Sequence, residues 1–147
     1  MRIQRCNNSD IKLVIEAITK VKAEENHVLL NEPAIKNFLT HENNYFLVAI
    51  ENECVVGYAI SYSQNRIDML NDMMCLYEIG VLKKFRQQGI GRRLINELMD
   101  ICQKINAIKM WVPTNKHNIS ACTLYEKTGG IASVSGDDII YTYRLLE

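Results

Sequence analysis

The segment YEIGVLKKFRQQGIGRRLI, Tyr77 to Ile95, constrains the fold more than any other part of the chain. Ile79 and Val81 read as the end of a strand, a basic patch follows, and Gly89 and Gly91 open a run whose apolar positions recur at helical spacing. A strand therefore feeds a helix through a glycine turn. The first-turn N–H groups of such a helix have no partner within it, and glycine lets a ligand approach the backbone with no side chain in the way. The helix dipole adds partial positive charge that favours phosphate. Arg86, Arg92 and Arg93, with Lys83 and Lys84, gather cations at this one place, which suits a pyrophosphate. A glycine pair by itself also makes a plain tight turn solvated by its basic neighbours. The turn is not a Walker A loop, because no GK[ST] follows, and not a Rossmann GxGxxG, because Leu94 stands three after Gly91.

Elsewhere the chain supplies a strand at RIQRC and a helix face at Ile11, Val14, Ile15, Ile18 and Val21, with Ser9 or Asp10 as its cap. A short helix starts near Pro33 and runs through Ile35, Phe38 and Leu39. NNYFLVAIENECVVGYAISYS makes a hairpin that turns at Glu51-Asn52, and MMCLYEIGV is the strand leading into the glycine turn. The long helix after it carries Ile90, Leu94, Leu98, Ile101, Cys102 and Ile105 on one face. AIKMWVP is a strand, HNISACTLYEKTGG a helix closed by glycine, and DIIYTYRLL a final strand. The order β-α-α-β-β-β-α-β-α-β combines a hairpin meander with a strand-helix-strand crossover, so a mixed α/β sheet is expected. At 147 residues, with no linker or repeat, residues 1–147 are expected to form a single domain.

Lys and Arg balance Asp and Glu at 17 each, so no net basic charge favours nucleic acid or an anionic membrane. Apolar stretches stay far below the roughly 18 residues of a membrane span, and the N-terminus lacks a signal peptide's apolar core, so a soluble, cytoplasmic protein is expected. The five cysteines, Cys6, Cys54, Cys75, Cys102 and Cys122, form no CxxC pair and suit a reducing compartment. Cys75 and Cys122 lie near the motifs, but no histidine is close in sequence to activate either. His27, His41 and His117 are scattered without ligand spacing, and no metal is expected.

The full spacing R-x-x-G-x-G at 86–91, after YEIGV, resembles the acyl-CoA pyrophosphate loop of the GNAT superfamily of N-acetyltransferases, and NISACTLYEKTGG resembles that family's N-x-x-A-x-x-L-Y-E-K-x-G helix. The likeness is close over 73–130, loose over the hairpin at 45–62, and for 1–44 holds only in element order. Within the family it is most like the aminoglycoside 3-N-acetyltransferases, which have an acidic residue three before the strand valine, here Glu78. The chain departs from the pattern at Leu82, where proline is frequent, at Gln87, where a small residue is, and at Gly130, where an aromatic is. The first two positions are variable; the third bears on the acceptor pocket.

The resemblance implies a GNAT-like mixed, mostly antiparallel sheet of about six to seven strands flanked by about four helices, an α/β (α+β) architecture. It implies acetyl-CoA as co-substrate, held by Ile79, Gly80, Val81, Arg86, Gln87, Gln88, Gly89, Ile90, Gly91, Arg92, Asn118 and Tyr125. The Val81 N–H would polarise the thioester carbonyl, and the Tyr125 hydroxyl would protonate the departing thiolate. Asn118 and Tyr125 are seven apart, about two helical turns, so one helix face would serve one ligand. Glu78 is either the base that takes the amine's proton or a salt-bridge partner; its alternation partners are Leu76 and Gly80. The implied reaction is acetyl transfer to a primary amine, with a small molecule such as an aminoglycoside first. Glu78, Asp68, Asp72, Asp137 and Asp138 would give such a cation an acidic entrance, though carboxylates like these are as a rule solvated surface. A protein lysine or N-terminus is the alternative acceptor, a non-catalytic acyl-CoA-binding module the alternative class, and a homodimer is compatible with either.

Overall fold

A computed structural model of the chain describes residues 1–25 and 29–145. Among these residues the elements run β1 (Arg2–Arg5), α1 (Ile11–Ala23), α2 (Glu32–Thr40), β2 (Asn44–Glu51), β3 (Cys54–Gln64), β4 (Met73–Val81), α3 (Ile90–Lys104), β5 (Lys109–Asn115), α4 (Ile119–Lys127), β6 (Ile131–Ser135) and β7 (Asp138–Arg144). Hydrogen bonds join the strands in the order β1-β2-β3-β4-β5-β7-β6. Pairs β1–β2, β5–β7 and β6–β7 are antiparallel, and β4–β5 is parallel, as the α3 crossover between them requires. This is the mixed, mostly antiparallel sheet with four helices expected above. The six-strand order is corrected by β6, which follows the helix-closing glycines directly. IASVS shows little alternation and all five residues are exposed, so its strand state comes from pairing with β7.

Two compact units are distinguished, and β3, β4 and α3 each contribute to both. The first comprises 1–61 and 78–94. Its helix α1 begins after a short 3-10 turn at Asn8–Asp10; Asp10 holds the N-cap position of α1 without a side-chain cap bond, and Asn7 caps the 3-10 turn ahead of it. Asn7 Oδ1 accepts from the Ser9 N–H at 2.8 Å, and the Asp10 carboxylate accepts from the Asn7 N–H at 2.9 Å. Val14, Ala17 and Val21 of α1 are buried against Phe46, Val48, Val55 and Tyr58. Asn31 caps α2 through the Ala34 N–H, and Pro33 stands in its first turn, as expected. The hairpin turns at Asn52-Glu53, one residue beyond the expected Glu51-Asn52; both have positive φ (49° and 63°), the backbone of a two-residue turn that matches strand twist.

The second unit comprises 62–77 and the chain from 95 onward. Its parallel ladder pairs Met73 with Lys109, Met74 with Met110 and Cys75 with Trp111. Register sets Met110 opposite Tyr143 and Val112 opposite Tyr141, and all four are buried on one face. Leu98 and Cys102 of α3 are buried, but Ile105 lies past the end of the helix and is exposed, which shortens the expected apolar face. Gly129, at φ 103°, closes α4 in the left-handed conformation a helix-ending glycine supplies. Among the described residues no helix is long and apolar enough to cross a membrane.

Candidate functional site

In the first unit, β4 ends at Val81 and the chain bends through a 3-10 turn at Lys83–Phe85, whose Lys83 N–H donates to the Glu24 carboxylate at 2.8 Å. Arg86 folds back so that its Nε donates to the Val81 carbonyl at 3.0 Å. The backbone then passes through the left-handed region at Gln87 (φ 61°) and Gly89 (φ 82°), and the space beside Gly89 is open for 4 Å around the position of a Cβ. The first bond across the helix start runs from the Arg93 N–H to the Gly89 carbonyl at 3.0 Å. The N–H groups of Gly89, Ile90, Gly91 and Arg92 lie ahead of it with no acceptor inside the helix. Ile90 is buried and pins this end of α3. The first turn holds no acidic residue, and Arg86, Gln87, Gln88 and Arg92 are exposed. Free backbone donors, a positive dipole end and mobile-length cations without a competing carboxylate fit a pyrophosphate.

Also in this unit, the Glu78 carboxylate is half-buried and doubly held. Tyr58, 1% exposed and stacked on Phe46, donates its hydroxyl to Glu78 Oε1 at 2.6 Å, and the Lys22 ammonium of α1 pairs with the same oxygen. Glu25 stands 3.6 Å from Lys22 Nζ on the other side. Burial works to lower the Lys22 pKa, but the hydrogen bond and charge of Glu78, with Glu25, outweigh it and the net shift is upward. Tyr58 is pushed well above its ordinary value by burial and by Glu78, so it stays a neutral donor. Gly80 has a packing role here: a Cβ would stand 2.7 Å from Val21 Cγ1, so the glycine admits α1 against β4 and lets Lys22 reach Glu78. Ile79 is half-buried on the alternate face.

In the second unit, Tyr125 is 5% exposed and its ring tilts against Tyr141 at 5.4 Å. Its hydroxyl has no hydrogen-bond partner among the described residues, and burial raises its pKa above the ordinary phenol value. Its carbonyl is the anchored end: Gly130 N–H, Tyr143 hydroxyl and Thr128 Oγ1 approach that oxygen at 2.9, 3.1 and 3.2 Å. Tyr141 in turn donates to Glu126 at 2.8 Å. Asn118 is the N-cap of α4, and its side-chain oxygen accepts from the Ala121 N–H at 3.2 Å.

Of the four remaining acids expected at an entrance, Asp68, Asp72 and Asp137 have local partners. Asp68 takes two hydrogen bonds from the Arg66 guanidinium, which holds its carboxyl below the usual range. Asp72 accepts from Ser63 and Asn65, and Asp137 pairs with Lys116 at 2.9 Å. Cys75 is buried and its thiol pushed up to about 11 by that burial, which disarms it as a nucleophile; Cys122 is half-buried, its thiol directed to the Asn115 carbonyl. Among the described residues no group of three His, Cys, Asp or Glu is placed to hold a metal; His27 lies outside them. Four residues that the sequence reading did not single out support the site: Lys22 and Tyr58 at Glu78, Thr128 and Tyr143 at Tyr125. Thr128 lies within the 118–130 motif at a variable position; the others arrive from distant elements, and nothing local marks them.

Comparison with known proteins places these features in context. The family model described as acetyltransferase (GNAT) family matches residues 13–130. The ribosomal protein bS18-alanine N-acetyltransferase of Escherichia coli (strain K12) is 33% identical over 96 residues, which is 64% of this chain and 61% of that protein's length. The chain thus spans about three fifths of that curated relative. Among solved structures, an aminoglycoside acetyltransferase, meta-AAC0020, from an uncultured soil metagenomic sample and in complex with sisomicin, superposes with a TM-score of 0.84 at 21% identity, covering 91% of this chain and 90% of that one. The PaiA N-acetyltransferase of Thermoplasma acidophilum in complex with coenzyme A superposes at 0.77 with 15% identity, covering 97% and 98%. At these identities the two structures share the fold.

Proposed function

This chain belongs to the acetyltransferase (GNAT) family, and on that premise we propose that it transfers acetyl from acetyl-CoA directly to a primary amine, with residues 1–147 acting as one domain. The observation that carries the proposal is the start of α3, where N–H groups without a helical acceptor and the exposed Arg86 and Arg92 lie with no acid in the first turn. This is a seat for the CoA pyrophosphate, with Gln87, Gln88 and Gly89 as the turn that brings the backbone up to it.

The chemistry is assigned to groups of the motifs. The amine nitrogen attacks the thioester carbonyl carbon, the Val81 N–H steadies the charge that develops on its oxygen, and the carbon–sulfur bond breaks. Glu78 takes the proton the amine sheds, and Tyr125 gives its hydroxyl proton to the departing thiolate. Tyr125 suits this task because its proton is committed to no neighbour among the described residues and burial keeps it in place at neutral pH. Ile79, Gly80 and Asn118 shape the path of the cofactor through backbone and cap.

A cationic small molecule, an aminoglycoside among them, is the preferred acceptor; the fold likeness to a sisomicin-bound enzyme and the carboxylate of Glu78 support it. A protein amine such as an N-terminus is the second reading, favoured by the 33% identity over 96 residues to an enzyme named for an alanine of a ribosomal protein. The test is a panel of aminoglycosides, simple diamines and short peptides with free N-terminal alanine or lysine, each scored for thiol release from acetyl-CoA. Turnover by aminoglycosides and not by peptides supports the first reading, and the reverse pattern supports the second. No turnover with any amine, alongside tight acetyl-CoA binding, would point to a binding module and defeat the proposal.

A further inference from the structure

Two side chains from separate elements close on a single oxygen of Glu78. Tyr58 reaches Oε1 from β3 at 2.6 Å, and Lys22 reaches the same atom from the end of α1. No hydrogen-bond donor serves Oε2 among the described residues. Both supports are themselves fixed. The Tyr58 ring is stacked on Phe46 at 5.3 Å with planes 9° apart, and Lys22 is placed by the close packing of Val21 against Gly80. The other charged groups at this spot are Glu25, 3.6 Å from Lys22 Nζ, and Glu24, which is occupied by the Lys83 N–H. A carboxylate gripped on one oxygen cannot rotate freely, so its second oxygen keeps a fixed direction. The Glu78 side chain as a whole is 27% exposed, so solvent reaches the carboxylate.

We infer that Tyr58 and Lys22 are positioning residues that hold Oε1 of Glu78 so that Oε2 receives the acceptor's ammonium and takes its proton. This rests on the acetyltransferase reading above. Lys22 has a second effect: its positive charge beside the carboxylate repels any cation that approaches along its own side. An acceptor is thereby steered to Oε2. Neither residue touches the reacting atoms in this account; both act through Glu78.

The test is steady-state kinetics with the best acceptor of the amine panel, on the wild type and on Tyr58→Phe, Lys22→Met, Lys22→Arg, Glu78→Gln and the double variant Tyr58→Phe/Glu78→Gln, each with its melting temperature. Tyr58→Phe keeps the ring and its stack and is expected to lower kcat by about tenfold, with the acetyl-CoA KM within about twofold. Lys22→Met is expected to lose a comparable factor and Lys22→Arg to recover most of it. The decisive readout is the double variant, which should be no slower than Glu78→Gln alone, because a positioning residue has nothing left to position. If the losses multiply, or if Tyr58→Phe turns over like the wild type, the inference is overturned. A wild type that acetylates no amine overturns the acetyltransferase reading and the inference together, whereas an active wild type with silent variants overturns the inference alone.

Discussion

Gly130 lies against Tyr143 so closely that a Cβ at position 130 would stand 3.0 Å from the tyrosine ring and 3.0 Å from the Tyr125 carbonyl oxygen. The helix-ending Gly129-Gly130 pair therefore has two functions. Gly129 supplies the left-handed turn, and Gly130 makes room for the tyrosine whose hydroxyl bonds to the Tyr125 carbonyl and to Thr128 at 2.7 Å. The departure from an aromatic at this position has a local counterpart, since the Tyr143 ring occupies the adjoining space.

Gly130→Ala is expected to destabilise the fold by about 1 to 3 kcal/mol, the usual range for forcing an extra methyl into a packed site. Neither neighbour can yield cheaply, one being backbone and the other a buried ring. Chemical denaturation checks it, and a variant as stable as the wild type would show that the ring moves aside freely. Gly89, with nothing near its Cβ position, should respond only to the cost of its positive φ.

Much of the fold was legible in the amino-acid sequence for a physical reason: α1, α3, β4 and β5 are long enough to display a clean period, and glycine marks the breaks between them. β6 escaped because its five exposed residues are held by register with β7, a partner no local pattern reveals. The cap at Asn7 escaped because a 3-10 turn stands between it and α1. At the site, the contiguous groups Glu78 to Val81 and Arg86 to Arg92 and the motif residues Asn118 and Tyr125 could be read directly. Lys22 and Tyr58 could not, being 56 and 20 positions from Glu78 and joined to it only by packing.

Arg86→Ala is expected to weaken acetyl-CoA binding by about 1.5 to 3 kcal/mol, the range for hydrogen bonds to a charged partner. Its Nε is already engaged by Val81, so the loss includes the shape of the strand end as well as the charge. Titration calorimetry at two salt concentrations distinguishes the parts, because the charge contribution shrinks at high salt. An affinity equal to that of the wild type would remove the pyrophosphate from this turn.

Tyr125→Phe removes a hydroxyl that has no hydrogen-bond partner among the described residues, so stability and acetyl-CoA affinity should barely change. The kcat should fall by roughly tenfold to a hundredfold, the low end for general acid catalysis because a thiolate leaves fairly well unaided. The pH dependence carries a sign. Burial raises the Tyr125 pKa above the ordinary phenol value of about 10, so the acid form persists and turnover should show no alkaline loss from this group below about pH 10. Turnover within about twofold of wild type, with chemistry rate-limiting, would reduce Tyr125 to a packing residue.

Buried thiols predict the alkaline limit of stability. Burial raises Cys75 to about 11 and Cys102 to about 12, and Cys6 to about 12 with some help from Asp10, against an unfolded value of about 8.5. The unfolded chain therefore releases these protons first. Their contribution is complete below about pH 8.5 and is lost as pH rises toward about 11 to 12. The melting temperature should decline over that window, with buried Tyr58 and Tyr125 acting in the same direction, and Cys75→Ala should make the decline shallower. Cys75→Ala should also keep its acetyltransferase turnover; a dead variant that melts normally would restore the thiol as a nucleophile.

The central claim, direct transfer of acetyl from the thioester to an amine, is tested most directly by counting both products of the same reaction. Free CoA thiol and acetylated amine are quantified together over time, with the best amine of the panel and without it. The account predicts one amide for each thiol released and negligible thiol release when the amine is omitted. Thiol appearing at the same rate without the amine, or in excess of the amide, would contradict it and mark the protein as a thioester hydrolase.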